Sequence, residues 1–179
     1  MRFSSKFRGG EKEIEDLFTA TFTDSEGPEE GALIGNLVRK LLTETAPDDI
    51  HVFLASVGED LVGAAVFTRL TYSRDSRVVF LLSPMAVANQ WQGKGVGQRL
   101  LKHALDSLCA EGVDVAITYG DPAFYGKVGF ETLTESMAKP PLPLSQPEGW
   151  IGQSLTEGPL AALEGLSTCV AALNHSSFW

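Results

Sequence analysis

The residues best suited to chemistry are a glycine run with a basic residue inside it, Gln92-Gly93-Lys94-Gly95-Val96-Gly97. Glycines at alternate positions clear side chains from the backbone, so several N–H groups can converge on one anion. The run opens a stretch of helical periodicity, and a helix N-terminus adds unpaired N–H groups and partial positive charge. Together these make a phosphate site, to which Lys94, Arg99 and Lys102 add local positive charge. The plainer reading is that the glycines only let a helix pack closely on a sheet. A Walker loop is excluded, because Lys94 is out of its Gly-x-x-x-x-Gly-Lys frame. A dinucleotide fingerprint wants its third glycine one residue later and parallel strands before it. Asp114, about 20 residues on, keeps that reading as a rival.

The elements around the run follow from periodicity. Residues 2–7 suit a short strand. Helices are expected over 11–22 and 29–44, the second on the stripe Leu33, Ile34, Leu37, Val38, Leu41 and Leu42, with a loop over 23–28. Strands over 51–57, 61–72 and 78–87 form a meander, and Ser83-Pro84 predicts a bulge or break in the third. A helix over 96–111 follows the glycine run, with Gly112 as its C-terminal cap. Residues 114–119 are the next strand. Asp121-Pro122 starts a short helix over 122–127 that closes at Gly129. Residues 130–135 and 150–155 suit further strands, and the proline-rich stretch 139–148 is irregular. The tail over 160–173 is compatible with a helix or an extended edge segment. This order implies a mixed α/β sheet in a single domain over 1–179, with its core over about 1–135 and an extension over 136–179.

Bulk composition narrows the function classes. The chain is acidic, with a net charge of −9, which argues against general nucleic-acid binding. It does not exclude an anionic cofactor held by backbone amides. Cys109 and Cys169 make no disulfide framework, and Cys109 falls on the apolar side of its helix pattern, so it reads as a core residue. His51, His103 and His175 form no metal-ligand pattern, and no metal is expected. No secretory signal or membrane-length apolar run is evident, so the expectation is a cytoplasmic protein without a membrane partner.

Gln92-x-x-Gly95-x-Gly97, directly after an apolar strand and opening a helix, resembles the acetyl-CoA motif of the GNAT superfamily of N-acetyltransferases. Pro84-Met85-Ala86-Val87 is similar to the strand end that precedes that motif. Downstream, Ala123-Phe124-Tyr125-Gly126-Lys127-Val128-Gly129-Phe130 resembles the family's short helix, which carries a tyrosine and ends in Gly-Phe. Gly120-Asp121-Pro122 resembles a bacterial branch with that turn ahead of the tyrosine. The strong resemblance covers residues 81–130.

The resemblance implies a mostly antiparallel sheet splayed at the cofactor site, with helices on both faces, and an enzyme that uses acetyl-CoA. It implies that backbone groups of Met85, Ala86 and Val87 meet the pantetheine arm. Gln92, Gly93, Lys94, Gly95, Val96, Gly97 and Gln98 would hold the pyrophosphate. Tyr125 matches the family's general-acid tyrosine. The acceptor implied is a primary amine on a small molecule or peptide. Acids that could serve as base are Asp24, Glu29, Glu30 and Asp121, of which Glu29 and Glu30 also suit a helix start and Asp121 a helix cap, and a water relay needs none of them. The contrasting reading is a non-catalytic CoA-binding module of the same fold. The tail, with Leu160, Leu163, Leu166, Val170, Phe178 and Trp179, can pack on the domain or on a second copy in a homodimer.

Overall fold

The computed structural model describes residues 1–179. In chain order its first elements are β1 (Arg2–Ser4), α1 (Glu11–Glu26), α2 (Pro28–Glu44), β2 (Ile50–Val57), β3 (Asp60–Arg69), β4 (Thr71–Tyr72) and β5 (Val79–Val87). Then come α3 (Val96–Ala110), β6 (Val115–Tyr119), α4 (Pro122–Tyr125), β7 (Glu131–Thr132), β8 (Trp150–Ser154) and β9 (Ser167–Thr168). Seven strands form one sheet in the order β1-β2-β3-β5-β6-β8-β7, and β4 pairs separately with β9. Strands β5 and β6 are parallel, while β1–β2, β6–β8 and β7–β8 are antiparallel. The expected mixed sheet is therefore present. No helix is long and apolar enough to cross a membrane. The chain divides into two compact units, Met1–Phe67 with Pro84–Ala104, and Thr68–Ser83 with Leu105–Trp179.

In the first unit, α1 buries Ile14 and Phe18, and α2 buries Leu37, Val38, Leu41 and Leu42. Strand β3 is buried on both faces from Val62 to Thr68, which suits its run of small and β-branched residues. The expected loop over 23–28 is not there. Helix α1 continues to Glu26, and the chain turns at one residue, Gly27, with φ of 100°. Pro28 then starts α2. Glycine reaches that φ without a Cβ penalty, so one residue replaces a loop. The two helices also press closely together. A Cβ on Gly31 would collide with Thr23 Oγ1 and lie 2.8 Å from the Thr19 carbonyl.

In the second unit, β6 is the middle strand, with β5 parallel on one side and β8 antiparallel on the other. The β5–β6 ladder runs from Val79↔Val115 to Leu82↔Thr118. Strand β5 continues to Val87, but its parallel ladder with β6 stops at Leu82↔Thr118, directly before the break expected at Ser83-Pro84. Proline is tolerated because its missing N–H lies beyond that ladder. Trp150 is fully buried, and its Nε1 donates to the Ala138 carbonyl at 2.8 Å. The meander's return strand also ends earlier than expected, at Arg69, and Thr71–Tyr72 pairs with the tail instead.

The tail forms no α-helix: it is irregular apart from the short strand β9 and single 3-10 turns at Ala171–Leu173 and Ser176–Phe178. Gly158-Pro159 and Gly165 interrupt any helix, and the turn after β4 supplies other partners for its backbone. Ser73 N donates to Leu166 O at 2.9 Å and Arg74 N to Glu164 O at 3.1 Å. One charged pair fastens this arrangement. Arg77 donates from Nη2 to Asp75 Oδ2 at 2.7 Å and to the Ala162 carbonyl at 2.6 Å, and from Nη1 to the Ala161 carbonyl at 2.9 Å. Asp75 also accepts from Glu164 N at 3.2 Å. The Arg77 hydrogen bond is the main reason the Asp75 carboxyl is lowered to about 2. Cys109, expected in the core, is exposed, with its Sγ 3.0 Å from Leu155 O. It sits at the edge of the helical stripe, in the last turn of α3.

Two outcomes follow. Gly31→Ala gains up to about 1 kcal/mol of helix propensity, but the crowding it creates costs about 1–3 kcal/mol. Net loss of stability is expected in denaturant melts, and a gain would contradict the packing. Asp75 has a folded pKa below its unfolded value. Its contribution is therefore present above pH 4 and is lost as pH falls toward 2. Asp75→Asn should lose roughly 1–2 kcal/mol at neutral pH, solvent screening of the pair included. Its deficit should close in melts taken near pH 2. A deficit that stays constant with pH would show that the charge is not what holds the tail.

Candidate functional site

The glycine run lies between β5 and α3, in the first unit. Gly93 and Gly95 have φ of 68° and 73°, and Lys94 between them does not share that hand. Such alternation turns successive N–H groups to one side and makes an anion-binding concavity. No heavy atom lies within 4 Å of where a Cβ would sit on either glycine. The demand at these two positions is thus conformational, not steric. The helical ladder of α3 opens with Arg99 N donating to Gly95 O at 3.2 Å. Val96, Gly97 and Gln98 precede that bond, and their N–H groups are those a helix leaves without an internal carbonyl.

The loop's carbonyls point to other partners. Arg99 donates from Nε to Gly95 O and from NH2 to Lys94 O, both at 3.3 Å. Gln92 donates from Nε2 to Val87 O at 2.9 Å and to Asn89 Oδ1 at 3.1 Å. With these oxygens held, the N–H side of the loop is the open side. The Lys94 ammonium lies 5.0 Å from the centre of the Trp91 ring, a cation–π contact that places its charge at the loop. Gln92, Gly93, Lys94 and Gly95 are exposed, whereas Val96 and Gly97 are buried under the first turn of α3.

Ahead of the loop, Met85 and Val87 are half-buried and Ala86 is buried, as strand alternation requires. Ala88 N donates to Val62 O at 2.9 Å. These three residues and the loop belong to one unit, and Tyr125 belongs to the other.

Tyr125 ends α4, whose start is built as expected. The Asp121 side chain accepts from Ala123 N at 2.9 Å, and Pro122 takes the first helical position. The tyrosine ring stands edge-on to Phe124 at 5.0 Å and to Phe130 at 5.6 Å. Gly120 leaves room for it, since a Cβ there would lie 2.7 Å from Tyr125 Cε2. Burial pushes the Tyr125 phenol up to about 12. A hydrogen bond with the Thr118 side chain opposes this, and the charge of Asp121 adds to it. The phenol is therefore neutral, and a donor, through the whole physiological range.

Several residues at the site carried no sequence signal. Asn89 joins Gln92 to Asp24 through its side chain. Thr118 is fully buried and donates to Leu82 O at 2.9 Å, at the last rung of the parallel ladder. Only a polar residue at an inward strand position could have flagged it. Asp114, the acid that kept a dinucleotide site in play, accepts from Val78 N at 2.7 Å. Among the base candidates, Asp24 binds Asn89 and Asp121 caps α4, while Glu29 and Glu30 lie in the first turn of α2.

The chain is similar to known proteins. The family model described as Acetyltransferase (GNAT) domain matches residues 48–132. The chain is 32% identical over 130 residues to YjhQ of Escherichia coli K12, an uncharacterized N-acetyltransferase, covering 70% of this chain and 72% of YjhQ. The uncharacterized N-acetyltransferase YhbS of the same strain is 40% identical over 50 residues, 28% of this chain and 30% of YhbS. The crystal structure of E. coli YhbS in complex with CoA matches with a TM-score of 0.83 at 21% identity, over 98% of this chain and 92% of that one. A GNAT family acetyltransferase from Brucella melitensis, in complex with acetyl-CoA, gives 0.70 at 19% identity over 97% of each chain. At such identities the structural likeness establishes the fold.

Proposed function

The chain belongs to the GNAT family of N-acetyltransferases, and we propose that it moves an acetyl group from acetyl-CoA to a primary amine by direct attack in a ternary complex. The observation that carries this reading is the Gly93-Lys94-Gly95 backbone, alternating in hand and leading straight into α3. It is a preformed anion cradle with a cation beside it, in an otherwise acidic chain. The backbone N–H groups of Gly93 to Gln98 hold the CoA pyrophosphate. Met85, Ala86 and Val87 offer backbone groups to the pantetheine arm.

In the reaction, the neutral amine nitrogen attacks the thioester carbonyl carbon. A C–N bond forms, and the carbonyl oxygen takes up negative charge, which a strand N–H at Ala86 or Val87 can stabilise. Collapse of the intermediate breaks the C–S bond and releases the CoA thiolate. Tyr125 supplies a proton or a hydrogen bond to that sulfur. The phenol is protonated at neutral pH and can donate to the sulfur, and its raised pKa favours a hydrogen bond there over full proton transfer. The ammonium proton leaves to a base or a water relay before attack, and a second proton leaves the attacking nitrogen as the intermediate collapses, balancing the one that the departing sulfur takes up.

Thermal denaturation with CoA, acetyl-CoA, NAD and ATP separates the ligand classes. A ligand that binds only the native state at a hundred times its Kd adds about 2.7 kcal/mol. Stabilisation by CoA and acetyl-CoA is expected, and none with either would end this reading. Gly95→Glu should remove the CoA shift, since it places an anion where the phosphate sits on a backbone that side chains disfavour. Tyr125→Phe should keep the CoA shift while lowering acetylation of a screened amine panel about a hundredfold. Unchanged turnover in that variant would remove Tyr125 from the chemistry.

A further inference from the structure

Ahead of the glycine loop lies a chain of side-chain hydrogen bonds. Asn89 donates from Nδ2 to Asp24 Oδ2 at 2.5 Å. Gln92 Nε2 donates to Asn89 Oδ1 at 3.1 Å and to Val87 O at 2.9 Å. The direction of this chain is fixed at one end. A carboxylate only accepts, so Asp24 takes the NH2 side of Asn89. That turns the Asn89 carbonyl toward Gln92, and Gln92 must answer with its own NH2. Its two N–H groups are then divided between Asn89 and the last residue of β5. Backbone bonds close the same turn, from Trp91 N to Ala88 O at 2.7 Å and from Gln92 N to Asn89 O at 3.2 Å.

We infer that Asn89, oriented by Asp24, is a positioning residue for the CoA phosphate loop, and that Gln92 acts as a brace for the loop. The inference rests on the CoA reading above. The loop can present its N–H groups only if the segment entering Gly93 has a fixed course. Gly93 and Gly95, at positive φ, have no Cβ to restrict their backbone, so they can follow whatever precedes them. The 87–92 turn therefore sets where the cradle begins. Asp24 belongs to the last turns of α1, so the brace ties the end of that helix to the cofactor loop. The three side chains are exposed. Each bond is small by itself, and the effect expected is on the loop's order rather than on global stability.

Calorimetric titration with CoA tests this, alongside the melting temperature of each ligand-free variant. Asn89→Ala is expected to weaken CoA about tenfold with its ligand-free melting temperature unchanged. Asn89→Asp sets a carboxylate against Asp24 and should weaken binding at least as much. The double variant Asp24→Asn/Asn89→Asp reverses the pair. The amide now at position 24 would donate to the carboxylate now at position 89, which still accepts from Gln92. Affinity should return to within about threefold of the parent, a rescue that loss of general stability would not produce. Parent-like affinity in Asn89→Ala, beside a loss in Gln92→Ala, would overturn the inference and leave Gln92 as a direct ligand. Equal affinity in Asn89→Asp and the double variant would also overturn it. If the parent chain itself gives no heat with CoA, the underlying reading fails first and the inference falls with it.

Discussion

An α-helix cannot satisfy its own first N–H groups, and this deficit organises the first unit. At the start of α3 it falls on Val96, Gly97 and Gln98, directly after a backbone that alternates in hand. Water can meet such groups, as can a cap or an anion. Here the residues that could have folded back as caps are glycines, which have no side chain to offer. The nearby carbonyls are held by Arg99 and Gln92. What remains is a concentrated patch of donors, with Lys94 beside it. Strand β5 and helix α3 are rigid supports on either side, and the loop needs both to hold its shape.

Much of this is legible in the sequence because it depends on local chemistry. The glycine spacing announces the loop, the Asp-Pro pair announces the start of α4, and the stripe of Leu37, Val38, Leu41 and Leu42 announces α2. Each signal lies within a few residues of the structure it specifies. The misreadings come where partners are distant. Polar residues over 23–28 suggest a loop, yet tight contact of Gly31 and Gly35 with Thr23 and Thr19 carries α1 through it. Cys109 looks apolar by periodicity but lies at the margin of the stripe.

The site divides the same way. The residues that a motif names directly, the glycines and Tyr125, can be picked out from order alone. The residues that hold them cannot. Asn89 is one polar residue in a turn, and nothing nearby in sequence says that Asp24 will orient it. Thr118 looks like any β-branched strand residue until its hydroxyl is seen on Leu82 O. Supporting residues act across the fold, so their signal lies in three dimensions.

The Lys94–Trp91 contact has an optical consequence. The chain has three tryptophans, and Trp150 and Trp179 are buried. Trp91 is half-buried, and its indole has an ammonium over its face. An anion entering the cradle competes for that ammonium, and drawing it away changes the field across the indole. If the loop holds the CoA pyrophosphate as proposed, it carries its own fluorophore, and Trp91 emission would report occupancy without any label being attached.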